Sequence, residues 1–348
     1  MFNMEKSTAL KNKYLIAGAL LIGIAIILSI AATTNTPLTG HSVDAPKETP
    51  KETTQVTVAY LPVAQVLPLS LAIEKGYFTK AGINVTAVRF ESPNLLMDAI
   101  VAGRADFGAP GTASGITGIV ESKKPGELKV YEFIGGGDDV INDLLLVRKN
   151  STLQSIADLK GKNLGILPGI QFRTIARHIL AQNNLTADKD VAITEIAPGL
   201  QVQALAAGQV DALLTIEPMG TVAKENGIGK DLIRSPMVTY ISNPWYGAVG
   251  VVRTQYAQEN PETTKKFIEV LAHATDEINS NPESSKQYLK GYVSLSDQLI
   301  QKTPLPVYKM YTDFTKKDVD SYQQFLDIFT KYGVINGTVN ANNLIYNP

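Results

Sequence analysis

Two stretches of the chain, SPNLLMDAIVAGRADFGAPG at Ser92–Gly111 and APGLQVQALAAGQVDALLTI at Ala197–Ile216, share one pattern. They align at an offset of 105 residues, which matches the pairs Pro93/Pro198, Ala99/Ala204, Gly103/Gly208 and Asp106/Asp211. Each copy predicts a loop, an amphipathic helix that ends at a glycine, and a buried strand. Two copies at so long a spacing are not typical of a solenoid. We therefore predict two similar α/β lobes.

Short strands and helices also alternate around these two copies. Before the first copy, QVTVAYL (55–61) and INVTAVRF (83–90) are predicted strands, and GKNLGIL (161–167) and DVAITEI (190–196) precede the second. This alternation favours parallel sheets covered by helices. The predicted helices are Leu67–Lys75, Asn94–Ala102, Phe172–Asn183, Gln201–Ala207, Glu262–Ser280, Glu283–Tyr292, Ser296–Lys302 and Lys316–Tyr332.

The composition excludes several classes of function. Among 348 residues, the formal net charge is -1 and there is no long basic run, so we predict no nucleic-acid partner. The chain has no cysteine, which rules out disulfides, thiolate nucleophiles and cysteine-ligated zinc. We expect neither a metal site nor a cofactor.

The N-terminal region predicts export. Tyr14–Ala32 is an uncharged run of 19 residues preceded by Lys6, Lys11 and Lys13. Its length is sufficient to span a bilayer, and the lysines predict that residues 1–13 stay cytoplasmic. A signal peptide cleaved near Ser29-Ile30-Ala31 is the alternative. Residues 33–54 are rich in Pro, Thr, Lys and Glu, and we predict a flexible linker.

Four motifs resemble one family of transport proteins. They are AYLP followed by PLSLAIEKGYFTKAGINV (59–85), DAIVAGRADFG (98–108), DLKGKNLGILPG (158–169) and QALAAGQVDALLTIEP (203–218). Together they resemble the nitrate/sulfonate/taurine-type substrate-binding proteins of ABC transporters, a family that also includes binders of pyrimidine precursors. The resemblance covers Val56 to about Val222, roughly half of the chain.

This resemblance implies a type II periplasmic-binding-protein fold, in which two doubly wound lobes are joined by a two-strand hinge. Lobe 1 would comprise residues 55–144 and 245–348, and lobe 2 residues 145–244. The hinge strands would lie near Asn142–Arg148 and Trp245–Val252. Solute would bind in the cleft, where the carboxyl ends of the strands meet.

The implied function is capture of nitrate, a sulfonate, taurine or a similar small solute for an ABC importer. The protein would work outside the cytoplasm, either anchored to the outer face of the membrane by its N-terminal helix or periplasmic after cleavage. Its partners would be the permease subunits and, through them, a cytoplasmic ATPase. A ligand-sensing receptor domain for a signalling partner is the alternative.

Candidate ligand-binding residues lie in the loops that follow the strands, where main-chain N–H groups and helix N-termini favour anionic groups. Arg173 could bind an anion through its guanidinium, and Glu217 could accept a hydrogen bond from an amine. Trp245 and Tyr246 could line the cleft. The alternatives are that Thr112 and Glu217 cap helices, that Arg173 pairs with a surface carboxylate and that the aromatic residues pack in the core. The full set is Leu61, Pro62, Gln65, Gly111, Thr112, Asp139, Asn142, Gly169, Gln171, Phe172, Arg173, Glu217, Trp245 and Tyr246.

An enzyme on this fold is the less favoured interpretation. The chain has three histidines, of which His41 falls in the linker and His178 and His273 fall in predicted amphipathic helices. The sequence contains no GxSxG, HExxH or Walker motif. We therefore predict a binding protein without catalytic residues.

Overall fold

Eleven strands form two separate sheets in the part of the chain that the computed structural model describes, residues 53–348. In chain order they are β1 Thr54–Tyr60, β2 Ile83–Arg89, β3 Phe107–Ala113, β4 Leu128–Gly136, β5 Asp143–Arg148, β6 Asn163–Ile166, β7 Ala192–Glu195, β8 Ala212–Ile216, β9 Gly229–Arg234, β10 Trp245–Arg253 and β11 Val307–Met310. The predicted segments 1–13 and 14–32 and nearly all of the linker lie outside the described residues.

The two sheets have equivalent strand orders. The first sheet runs β2-β1-β3-β10-β4-β11 and the second β7-β6-β8-β5-β9. In each, the first three strands are parallel and the fourth is antiparallel to both of its neighbours. The fourth strands are exchanged along the chain, since β5 follows β4 but joins the second sheet, and β10 follows β9 but joins the first. The chain therefore crosses between the sheets twice, at 137–142 and at 235–244.

Helices cover both sheets, and each sheet with its helices is called a lobe below. The α-helices are α1 Leu67–Glu74, α2 Tyr77–Lys80, α3 Pro93–Val101, α4 Ser114–Lys123, α5 Ile170–Gln182, α6 Pro198–Ala206, α7 Met219–Glu225, α8 Pro236–Tyr240, α9 Thr254–Glu259, α10 Pro261–Ser280, α11 Pro282–Ser285, α12 Asp297–Lys302, α13 Lys316–Lys331 and α14 Ala341–Leu344. Within residues 53–348, none of the helices is both long and apolar enough to cross a membrane.

The internal repeat of the sequence forms the same unit in both lobes. The first copy forms α3 and β3, and the second forms α6 and β8. Gly103 and Gly208 follow the two helices with φ values of 70° and 71°. This left-handed conformation ends a helix and is unfavourable for residues with a Cβ atom, which explains the glycine at both positions.

The two repeated aspartates also make the same contacts. Asp106 Oδ2 accepts the main-chain N–H of Thr57 at 2.9 Å, and Asp211 Oδ2 accepts that of Asn163 at 2.9 Å. In return, the N–H groups of the two aspartates donate to the carbonyl oxygens of the same two residues. Each aspartate thus ties the repeat strand to the first strand of its lobe.

The C-terminal part of the chain packs on the first lobe. Strand β11 pairs with β4, and Phe267 of α10 stacks on Phe107 of β3 with ring centroids 3.9 Å apart. Helix α13 lies so close to α4 that a Cβ atom on Gly115 would come within 2.3 Å of Phe329. The sequence pattern alone indicated helices here but not the sheet that they cover.

Some predicted element boundaries are wrong. The strand β1 begins at Thr54, inside the predicted linker, because the Thr54 N–H donates to Gly82 O at 3.0 Å. The predicted helix Glu283–Tyr292 is shorter, since α11 ends at Ser285 and continues as a 3₁₀ turn only to Leu289. The division of the chain into lobes at residues 144/145 and 244/245 stays a prediction.

Candidate functional site

A cavity of about 60 Å³ lies between the two lobes, and both lobes line it. Leu61 follows strand β1 of the first sheet, and Leu167 follows the equivalent strand β6 of the second. The cavity is therefore at the carboxyl ends of the parallel strands, where open α/β sheets bind ligands. The lining residues are Leu61, Pro62, Val63, Gln65, Glu91, Pro93, Gly111, Ala113, Asn142, Leu167, Pro168, Gln171, Phe172, Pro198, Ile216, Trp245, Gly247 and Ala248.

One buried side chain, Gln171, joins the two lobes across the cavity. It lies at the start of α5 in the second lobe and is 4% exposed. Its Oε1 accepts the N–H of Gly115 at 2.8 Å, and its Nε2 donates to Gly247 O at 2.9 Å. Both partners belong to the first lobe, so this contact, called the Gln171 bridge below, exists only while the lobes are together.

Two polar atoms of the cavity wall have no hydrogen-bond partner among the described residues. Gln65 Nε2 donates to Asn142 Oδ1 at 3.1 Å, but Gln65 Oε1 accepts nothing. The indole Nε1 of Trp245 donates to nothing either. Both side chains are at most 2% exposed. A buried polar group without a partner costs about 1–3 kcal/mol, so these atoms favour a ligand that pairs with them.

The cavity contains little charge. Of the described residues that line it, Glu91 alone is ionisable, and its exposed carboxylate forms an ion pair with Arg89. His178 does not line the cavity: its Nε2 lies 3.1 Å from Tyr240 O, and burial lowers its pKa. His273 stacks beside Tyr77 on the far side of the first lobe. The wall is otherwise apolar or amide in character.

The structure places eight of the fourteen candidate residues in the cavity wall. They are Leu61, Pro62, Gln65, Gly111, Asn142, Gln171, Phe172 and Trp245. Thr112 lies in β3, and its side chain lies outside what the structure describes. That the eight contact a solute stays a prediction.

Arg173 is not in the cavity wall, contrary to the expectation that it holds an anion there. Its Nε lies 3.0 Å from Glu195 Oε1 and its Nη1 3.1 Å from Asp188 Oδ2. Helix α5 turns this side chain outward, two residues after Gln171 points inward, and the surface carboxylates hold it. The adjacent Gly169 donates its N–H to the same Glu195, at 3.1 Å, and is absent from the wall as well.

We expect Arg173→Ala to leave solute affinity within about 2-fold of the wild type, because an exposed ion pair has little effect beyond its own surface. Titration calorimetry with any solute that binds would measure the ratio. A 10-fold or larger loss would contradict the placement of Arg173 outside the site.

Glu217 and Tyr246 are buried, but both serve the fold rather than the cavity. Glu217 Oε2 accepts the N–H of Thr221 at 2.9 Å, which caps α7, and burial raises the pKa of this carboxyl. Tyr246 Oη donates to Asp318 Oδ1 at 2.6 Å. Trp245 lines the cavity and also packs edge-on against Phe325 of α13, whereas the Tyr246 ring stacks on Phe133.

Asp139 lies exposed in the first crossing segment, away from the wall. Its neighbour Asp138 accepts a hydrogen bond from Asn243 of the second crossing segment. Asp138 therefore connects the two crossings, and within 137–142 it is Asn142 that lines the cavity.

Sequence reasoning missed two prolines that a closer use of the repeat would have found. Pro93 and Pro198 occupy matching positions in the two copies and both line the cavity. Each begins a helix at the carboxyl end of its sheet. Gly247 and Ala248 were also missed; the register of β10 shifts between Trp245 and Ala248, so the two-residue period of a strand does not predict which of them line the cavity.

Two sheets of this order, exchanged fourth strands and a cavity between the lobes define the fold of the periplasmic binding proteins. The sulfonate-binding protein SsuA of Escherichia coli has this fold, with a TM-score of 0.67 and 19% identity over 84% of this chain and 97% of that one. The chain belongs to the NMT1-like family, whose model matches residues 49–291.

Relatives of known sequence include binding proteins and enzymes. A Brucella abortus protein named as a binding protein is 28% identical over 218 residues, which are 62% of this chain and 64% of that protein. The chain thus matches less than two thirds of that relative's length. A Bacillus subtilis protein named for binding aliphatic sulfonates is also 28% identical, over 60% of each chain.

A Saccharomyces cerevisiae protein named 4-amino-5-hydroxymethyl-2-methylpyrimidine phosphate synthase is 22% identical, over 69% of this chain and 72% of its own. The chain is therefore similar both to solute-binding proteins and to an enzyme.

Proposed function

We propose that this protein is the extracytoplasmic solute-binding component of an ABC importer. It captures a small solute between its two lobes and delivers the solute to permease subunits that work with a cytoplasmic ATPase. The proposal rests mainly on the cavity that both lobes line and that the Gln171 bridge spans. In this proposal, residues 14–32 hold the protein at the outer face of the membrane, or are removed from a periplasmic form.

The crossing segments support a mechanism of hinge closure. Only two segments, 137–142 and 235–244, connect the lobes along the described chain, so the lobes can rotate about them. A solute that contacts both lobes binds the closed form better and shifts the population toward it. The permease then contacts the closed form, which is populated when a solute occupies the cavity.

Two exposed leucines support a partner that contacts both lobes at once. Leu95 and Leu200 occupy matching repeat positions, two residues after the cavity prolines Pro93 and Pro198, and are 57% and 56% exposed. We infer that these two side chains offer a partner one apolar contact on each lobe.

A panel of solutes tests the proposal: nitrate, bicarbonate, taurine, alkanesulfonates and pyrimidines. A solute that binds the folded protein raises its Tm by mass action. It also changes the fluorescence of Trp245, since this residue is the single tryptophan of the chain and lines the cavity. If no solute of the panel acts on either signal, the expected class of solute is wrong.

A matched pair of variants locates the binding. Ala248 lines the cavity, whereas Ala102 is exposed at the end of α3. We expect Ala248→Phe to fill the cavity and abolish binding and Ala102→Phe to leave it unchanged. A solute that binds both variants equally lies elsewhere and contradicts the proposed site.

A further inference from the structure

The cavity wall leaves one hydrogen-bond donor and one acceptor open. Trp245 Nε1 can only donate and Gln65 Oε1 can only accept, and neither atom has a partner among the described residues. Gln65 Nε2 pairs with Asn142 Oδ1, and both polar atoms of Gln171 pair with main-chain groups. A ligand that completes this wall must therefore offer at least one acceptor and one donor.

The wall offers no cation to a buried anion. Among the described lining residues, the single ionisable group is the carboxylate of Glu91, which repels anions. Arg173 is held by two carboxylates outside the cavity. The N–H of Gly115 at the start of α4, which could have faced an anion, already donates to Gln171. A buried anion would therefore have to rely on main-chain N–H groups without a side-chain cation, and a charged group that is not neutralised is far more costly to bury than a neutral polar group.

The remaining wall is apolar. Leu61, Val63, Phe172 and Ile216 surround the space together with four prolines. The volume of about 60 Å³ is below the roughly 150 Å³ of a cavity that holds benzene. The closed form thus fits a solute of only a few heavy atoms with an apolar body.

We propose that the cavity binds a small uncharged solute in preference to an anion of the same shape. The solute accepts a hydrogen bond from Trp245 Nε1 and donates one to Gln65 Oε1, as a primary amide or sulfonamide does. This inference rests on the proposed function only in that the cavity is the solute site. It narrows the solute to a neutral class, whereas nitrate and sulfonates are anions.

Matched pairs of solutes test the inference. Methanesulfonamide and methanesulfonate share one shape and differ in charge and in an N–H donor, and the ethane and propane pairs extend the series. With the wild-type protein, we expect each sulfonamide to bind at least ~10-fold more tightly than its sulfonate, by Tm shift and by Trp245 fluorescence. Sulfonates that bind as tightly as the sulfonamides, or more tightly, overturn the inference.

The outcomes separate this inference from the proposed function. If sulfonates or nitrate bind and sulfonamides do not, the proposed function survives and the neutral class is wrong. If neither series nor any solute of the wider panel binds, the neutral class and the class of solute expected in the proposed function are both wrong.

The variant Trp245→Phe isolates the indole N–H, because it keeps an aromatic ring at this position. We expect about a 10-fold loss of methanesulfonamide affinity, measured by calorimetry since the fluorescent group is gone. Methanesulfonate also offers sulfonyl oxygens to the N–H, so the variant tests the contact and not the charge preference. A methanesulfonamide affinity within 2-fold of the wild type would exclude the N–H as a ligand contact. The comparison of solutes on the wild type decides the proposal even if this variant folds poorly.

Discussion

Replacing Gln171 by alanine is expected to weaken solute binding about 30-fold or more. In the closed form the variant leaves the N–H of Gly115 and the carbonyl of Gly247 buried without their partner. Each group left without its partner costs about 1–3 kcal/mol, so we expect the closed form to lose about 2–6 kcal/mol. Because solute binds the closed form, its apparent affinity falls with the population of that form.

Calorimetry would measure the affinity, and small-angle scattering would show whether the variant stays open when solute is present. Gln203→Ala is the matched control, since Gln203 is exposed on α6. An affinity for Gln171→Ala within 3-fold of the wild type would mean that the bridge does not contribute to closure.

Asp143→Asn is expected to stabilise the protein at pH 8 by about 2–4 kcal/mol relative to the wild type. Asp143 begins β5, next to the first crossing, and is fully buried. Its Oδ2 accepts the N–H of Met237 at 2.8 Å, but its Oδ1 has no partner among the described residues. Burial raises the pKa of this carboxyl from 3.8 to about 7. Asparagine keeps the acceptor and removes the charge.

The direction in which stability changes with pH follows from proton binding by Asp143. Between pH 3.8 and about 7 the folded form keeps a proton that the unfolded chain releases, so the free energy of unfolding falls as the pH rises through this window. Above pH 7 the full cost, about 4 kcal/mol, is present. Urea unfolding should show a difference between variant and wild type at both pH 5 and pH 8, and the difference should be about 2- to 3-fold larger at pH 8.

Asp320→Asn is the control for charge removal, because Asp320 is 60% exposed and pairs with Lys316. We expect it to change stability by less than about 0.5 kcal/mol at either pH. If Asp143→Asn has the same pH dependence as the wild type, Asp143 is ionised in the folded protein and its burial is not costly.

The two-lobe fold could be predicted because the local sequence patterns that indicate a lobe occur twice in the chain. A glycine that ends a helix and an aspartate at the next strand are local requirements, and they recur at the offset of 105 residues. The structure extends this repeat to a pair that sequence reasoning missed, Arg148 and Arg253, which end β5 and β10 at the same offset. Arg148 Nη1 donates to Val210 O, and the guanidinium of Arg253 lies 3.5 Å from the position of a Cβ atom on Gly103.

The candidate site was only partly predictable, for a physical reason. Loops after strands can be located from the chain, and those after β1 and β6 do line the cavity. The direction of each side chain depends on partners that are remote in sequence, however. Glu195 and Asp188 lie 22 and 15 residues from Arg173, and no local pattern indicated that they would hold it at the surface.

The sequence by itself determined the class of fold, the order of its elements and the edge of the sheets at which a ligand site forms, because helix ends, strand periods and turns depend on neighbouring residues. Only the tertiary structure decided which side chains face the cavity, that Gln171 spans it, and that Trp245 Nε1 and Gln65 Oε1 are left without partners. Those properties arise from contacts between lobes whose fourth strands are exchanged along the chain. Whether a buried polar group has a hydrogen-bond partner is decided only when such distant segments pack together.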